Sequence, residues 1–224
     1  MMQNLTNQEI LNIAPSTGAT HPHEEVSGKY TFIPTIEVVD ILRKDGWIPT
    51  RVTEAGFRNS DNNGFQKHLI RFQHSDLMLK TEEAIEAVLI NSHNRSCSYK
   101  LMTGVYRFVC MNGMVVGDTF NSIAIKHINF EAKDVIEASH KVLETAPVVT
   151  RSIEEMKATR MHESEKEAYA QSVLQLVYDE PESAPIGTRQ LLSPRRKQDR
   201  EPDLWTTFNI VQENIIKGGL KGRS

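Results

Sequence analysis

The sequence predicts an α+β fold: an antiparallel sheet of about five strands packed on one side by helices. Three observations carry this reading. Alternating, β-branched and aromatic segments cluster between residues 47 and 128; Asn- and Gly-rich turns join them; and segments of helical spacing bracket them on both sides. With 224 residues and 39% apolar content, the chain can bury one substantial core.

The elements follow in order. Residues 1–29 mix Asn, Thr, Pro, Ser and His and read as an amino-terminal arm in which only LTNQEILNIAP has helical spacing. A core domain is expected over 30–146. It opens with FIPTIEVVDILRKDGW, where Thr35 caps a short helix, Ile36, Val39 and Leu42 share a stripe, and Gly46 stops it. Trp47 begins an extended segment. RNSDNNG then supplies residues that tolerate positive φ, and FQKHLIRFQH alternates after it. Strand geometry puts Phe65, Lys67, Leu69 and Arg71 on one face and Gln66, His68, Ile70 and Phe72 on the other.

EAIEAVLINS reads as a strand from about Ala87, with LMTGVYRFVC and MVVGDTFNSIAIKHI as further strands. The turn MNGM between the last two centres on Asn112 and Gly113. Past Asn129 the spacing becomes helical in FEAKDVIEASHKVLETA. After Pro147 one long polar helix is expected from about Arg151 to Tyr178, within a segment 147–180. Residues 181–224 hold a linker, a basic cluster and a last helix running from near Asp203 to Gly218.

Charge is nearly balanced, 26 Lys and Arg against 29 Asp and Glu, so the surface as a whole is no polyanion binder. Its distribution is uneven. Residues 151–182 carry 4 basic and 8 acidic residues, whereas 186–224 carry 8 basic and 4 acidic. No apolar run approaches the roughly 20 residues that span a bilayer. Two cysteines, Cys97 and Cys110, are expected to be buried thiols in a reducing, cytoplasmic setting.

Polar residues concentrate in SHNRSCSY. Ser92, His93, Asn94 and Ser96 suit a turn that satisfies backbone groups, while Arg95 and Tyr99 add a charge and a stacking face. A nucleophilic site would need a carboxylate to orient His93, and none lies near in sequence; a metal site would need ligands beyond His93, Cys97 and Cys110. LLSPRRKQDR is the strongest basic cluster, with Arg195, Arg196 and Lys197 able to grip successive phosphates. In DLWTTFNIVQENIIK an apolar stripe holds Trp205 and Phe208, as core or as a partner-facing anchor. No cofactor motif is present: GGLKGR lacks the spacing of a nucleotide-binding loop.

NSHNRSCSYKLMTGVYRFVCMNGMVVGD, KYTFIPT and SPRRKQDREPDLWTTFNIVQENIIKGGLKGR resemble, over nearly the whole chain, an uncharacterised phage- and plasmid-borne family, the YfjQ/YafZ-like proteins (domain of unknown function 932). NSHNR stands where that family tends to show NSHDG, which counts against a catalytic role needing Asp at Asn94, and family members continue past the position of Arg223. VVDILRKDGWIPTRVTE followed by FQKHLIRFQ also resembles single-strand annealing recombination proteins. That resemblance implies homo-oligomeric rings that hold single-stranded DNA in a basic groove without a nucleotide cofactor.

The leading expectation is a mobile-element protein that binds single-stranded DNA as a homo-oligomer and promotes annealing or recombination without catalytic turnover. Lys67, Arg71, Arg95, Arg107, Arg195, Arg196 and Lys197 would contact phosphates, and Phe72 or Tyr99 would stack on bases. One alternative is an interaction protein that blocks or modifies a host defence or replication factor, anchored by Trp205 and Phe208. The other is a metal-dependent nuclease centred on His93.

Overall fold

The computed structural model describes residues 4–24, 32–56, 63–77, 83–94, 96–97, 99–107, 113–116, 122–125 and 132–217; at 83–84, 103–107, 113–116, 122–125 and 132 it places the backbone alone. The chain divides into two compact units, Met1–Pro147 and Val148–Ser224.

The first unit is built on an antiparallel sheet. Its strands are β1 (Trp47–Glu54), β2 (His68–His74), β3 (Glu83–Asn91), β4 (Tyr99–Arg107), β5 (Gly113–Val116) and β6 (Ser122–Ile125). The order is β1-β2-β3-β4, and both β5 and β6 pair with β4. Val116 faces Thr103 and Ser122 faces Met102, so the two short strands follow one another along a single edge of β4. The sheet therefore has five positions, the fifth held by β5 and β6 together; residues 117–121, within a segment that reads as one strand in the sequence, lie outside the described residues. Gly113 pairs with Tyr106; the rest of the expected tight turn, with Asn112, lies outside the described residues.

Alternation gives the sheet a core face and a second face. On the core face, Trp47, Val52, Ile70, Phe72, Ile85, Ala87, Leu89, Tyr99 and Leu101 are all buried. Helix α1 (Asn7–Ile13), a short 3-10 helix (Pro15–Gly18) and helix α2 (Thr35–Lys44) belong to this side. Of the segment expected as an arm, the described residues 4–24 make contacts with β1. Leu5, Ile10 and Ala14 are buried, Leu5 N donates to Pro49 O at 2.9 Å, and Ser16 N donates to the Glu54 carboxylate at 2.8 Å.

Thr35 is corrected from helix cap to first helical residue: Pro34 holds the cap position, and the Thr35 hydroxyl turns into the core. Gly46 does end the turn after α2, at φ 90°, a conformation that side chains resist. β3 begins at Glu83 rather than near Ala87. The helix-favouring EAIEA is overridden because Ile85 and Ala87 fill the core face while Glu86 finds partners on the other.

Helix α3 (Ala132–Ala158) runs through Pro147, where the sequence suggested a stop, and the boundary between the two units falls there. Its first half buries Val135, Ala138, Val142 and Ala146, and Ser139 Oγ donates to Asp45 at 2.9 Å.

In the second unit the expected single helix to Tyr178 is two. After α3, Arg160 bridges Asp203, Met161 N donates to Pro202 O at 2.8 Å, and Leu204 N to Thr159 O at 2.9 Å. This extended piece interrupts the helix, and α4 (Glu163–Val177) restarts with His162 N donating to Glu165 at 2.7 Å. Helices α5 (Thr188–Leu191) and α6 (Leu204–Ile216) complete the unit around Ala170, Leu174, Ile186, Leu191 and Val211. Asp203 caps α6, accepting from Thr206 N at 2.7 Å.

Candidate nucleic-acid interface

The second face of the sheet is where charge collects. Register sets Thr53, Leu69, Ile90 and Lys100 in one row and Arg51, Arg71, Val88 and Met102 in the next. Lys67 continues the same face one step beyond β2, its carbonyl accepting from Ala55 N at 2.8 Å. Arg51, Thr53 and Lys67 are exposed; Leu69, Arg71, Ile90, Lys100 and Met102 are half-buried. Val88 is fully buried, so the apolar surface of this face is limited to the half-buried Leu69, Ile90 and Met102, with the cations beside them.

Against Arg51, Lys67, Arg71 and Lys100 this face carries one strand carboxylate among the described residues, Glu86, which is fully buried. Its Oε2 forms an ion pair with Arg71 Nε, and its Oε1 accepts from Gln73 Nε2 at 2.6 Å. In FQKHLIRF alternation alone puts Lys67 and Arg71 on one face, whereas in WIPTRV a register shift between Pro49 and Arg51 turns Arg51 onto that face, away from the side that Trp47 takes.

The other expected contact residues distribute differently. Phe72 and Tyr99 point into the core face with no exposed surface, so neither is a stacking platform; burial pushes the Tyr99 hydroxyl well above its usual range. Arg95 lies outside the described residues, and Arg107 is placed by backbone only, opposite Glu83. Cys97 is a free, half-buried thiol; Cys110 lies outside the described residues.

Within the second unit the basic cluster is largely turned inward. Arg196 forks onto Glu213, with 2.7 Å to each carboxylate oxygen, and also reaches Asp199 at 3.2 Å. Lys217 joins the same carboxylate. Burial pushes the Glu213 carboxyl up, but hydrogen bonds from Arg196 and Lys217, together with their charges, outweigh it and hold it below its ordinary value. Arg195 Nε donates to Asn214 Oδ1 at 2.7 Å, and Asn214 Nδ2 in turn reaches the carbonyls of Leu191 and Ser193, both at 2.9 Å. Arg195 and Arg196 are thus struts tying the SPRR segment to α6, a role the sequence hid because their partners lie 17 to 19 residues away. Lys197 remains exposed. Trp205 is buried and stacks on half-buried Phe208 at 6.1 Å, so Trp205 is core rather than a partner-facing anchor.

In the polar turn Ser92 and His93 are buried, Asn94 is half-buried and Ser96 is exposed. Asn91 accepts from Ser92 N at 2.8 Å, and the Ser92 hydroxyl bonds both backbone groups of Cys97. Asn94 accepts from Ser96 N at 3.1 Å. His93, fully buried, shares the Thr35 hydroxyl with His68. Ser16 Oγ lies 2.7 Å from the other nitrogen of His68, Nδ1, which also lies 3.1 Å from Gln66 O. Because a carbonyl only accepts, Nδ1 of His68 carries the proton, and Nε2 accepts from Thr35. Burial pushes His68 down to about 4, so it is neutral at pH 7. The pair joins four separate segments, and no group of three or more His, Cys, Asp or Glu suited to a metal occurs among the described residues. His93, on which the nuclease alternative is centred, has no exposed surface.

The fold and this face define a class: an α+β protein whose antiparallel sheet is helix-covered on one face and studded with basic residues on the other. Within that class the chain belongs to the family described as "Domain of unknown function (DUF932)", whose model matches residues 22–223. It is 34% identical over 220 residues to UPF0380 protein YafZ of Escherichia coli (strain K12), covering 98% of this chain and 80% of that relative. UPF0380 protein YfjQ of the same organism matches with the same identity and coverage. No solved structure matches, and the likeness to annealing proteins stays a reading of the sequence. No helix among the described residues is long and apolar enough to cross a membrane.

Proposed function

We propose that the protein binds single-stranded DNA across the second face of its sheet, as a non-catalytic factor in annealing or recombination. One observation supports this above others: cross-strand register gathers Arg51, Lys67, Arg71 and Lys100 around the half-exposed Leu69 and Ile90. Phosphates are held by cations, and unstacked bases gain from contact with apolar surface, which a duplex keeps hidden. Such a face favours single strands by its chemistry and requires no cofactor. Lys197, exposed on the second unit, would be a separate phosphate contact.

Fluorescence anisotropy of a labelled oligonucleotide, single-stranded and duplex in parallel, tests the reading across a salt series. The expected result is preference for the single strand with affinity falling steeply as salt rises, and K67E and R51E each weakening binding to all sequences alike. Absence of binding to either form at low salt overturns it. Assembly into a homo-oligomer belongs to the same proposal; light scattering with and without oligonucleotide reads the mass directly.

A further inference from the structure

The geometry points to a binding site in the second unit for a small zwitterion, of the class of a free aliphatic amino acid. The site lies apart from the sheet, and the inference does not rest on the single-strand reading.

A cavity of about 250 Å³ lies where the start of α4, the connection between α5 and α6, and α6 itself meet. It is smaller than the roughly 300–1,000 Å³ that hold drug-sized ligands, which limits its occupant to a small metabolite. Leu192, Pro194 and Ile210 give the cavity an apolar wall. Its polar lining carries both signs. Lys166 stands on α4, and Arg200 and Glu201 stand on the connection. Arg200 and Glu201 are exposed and have no side-chain partner among the described residues. The Lys166 ammonium has one, the Glu163 carboxylate at 2.7 Å, which leaves donors to spare. Thr207 Oγ1 donates to Asp203 O at 2.8 Å, so its lone pairs are what it can offer a ligand.

This mixture disfavours the ligands that a single sign would select. A polyanion would be repelled by Glu163, Glu201 and the buried Asp199, so the cavity does not continue a DNA-binding face. A metal ion would be repelled by Lys166 and Arg200, and the carboxylates here form no group suited to one. A molecule with an ammonium and a carboxylate on one carbon meets both signs at once. Its carboxylate accepts from Lys166 and Arg200, its ammonium donates to Glu201 and to Thr207 Oγ1, and an aliphatic side chain lies on Leu192 and Ile210.

Calorimetric titration of the full chain with L-leucine tests this, beside two analogues that each lack one charge. One is 4-methylpentanoate, without the ammonium; the other is isopentylamine, without the carboxylate. The expected result is saturable binding of L-leucine, with both analogues weaker by about tenfold or more, because each leaves one charged group of the cavity without its partner. Arg200→Ala and Glu201→Ala should each weaken L-leucine on the order of three- to tenfold. Both side chains are exposed, so the unliganded variants should melt within a degree or two of the parent. Should either alanine variant fail to fold, Arg200→Gln or Glu201→Gln removes the charge while keeping the bulk, with the same expected loss.

Equal binding of 4-methylpentanoate and L-leucine would make this an anion site and overturn the inference. So would L-leucine binding that neither substitution weakens, or no saturable binding at millimolar L-leucine. Each of these outcomes leaves the single-strand reading as it stands.

Discussion

His68 and His93 are joined through one hydroxyl. Thr35 Oγ1 lies 2.9 Å from Nε2 of His68 and 3.3 Å from Nε2 of His93, while accepting from Asn91 Nδ2 at 3.1 Å. Since His68 Nε2 takes the hydroxyl proton, His93 must donate to the same oxygen. The chain of bonds has one direction and tolerates no extra proton on His68.

Stability should therefore fall in mild acid. His68 is held near pH 4 in the folded protein against about 6.5 when unfolded. The unfolded state binds the extra proton first, so stability is lost as pH drops from about 6.5 toward 4, by up to about 3 kcal/mol. Urea unfolding at pH 7 and pH 5 measures this, and in His68→Asn that part of the pH dependence should vanish.

The glycine after α2 admits no side chain. Gly46 sits at φ 90°, and a Cβ there would come within 2.6 Å of His74 Nε2, itself buried and 3.1 Å from Asp45 O. Gly46→Ala should cost about 1–3 kcal/mol, read as a lower thermal midpoint.

Glu213→Gln should loosen the second unit. It leaves Arg196 without its carboxylate fork, at a cost of about 2 kcal/mol. Because Glu213 is held below its unfolded value, this contribution is present at neutral pH and disappears as acid protonates it. Chemical denaturation of the variant and the parent at neutral and acid pH should converge as the pH falls.

Phe72 and Lys67 should separate fold from binding. Phe72→Ala opens a cavity in the core face and should cost about 3–5 kcal/mol. Exposed Lys67→Ala should leave the melting temperature within a degree or two, about 0.5 kcal/mol at most, while weakening oligonucleotide binding.

Much of the fold was legible because period and punctuation are local. Alternation in FQKHLIRFQ gave both faces of β2, and Gly46 gave the end of α2. The errors fall where distant partners decide. Thr35 looks like a cap until His68 and Asn91 are brought beside it, and EAIEA looks helical until Arg71 and Gln73 receive Glu86. The candidate interface was half visible: Lys67 and Arg71 could be read from one strand. Arg51 and Lys100 join them only once register is known. Arg195 and Arg196 misled for the same reason, since α6 supplies the groups that engage them.

The two short strands beside β4 bear on how the sheet margin meets other chains. A sheet edge is a template on which foreign chains can add, and a long flat edge invites it most. Among the described residues one margin is carried by two runs, Gly113–Val116 and Ser122–Ile125, neither long enough to hold an added strand firmly. At the other margin Leu5 already occupies a carbonyl of β1.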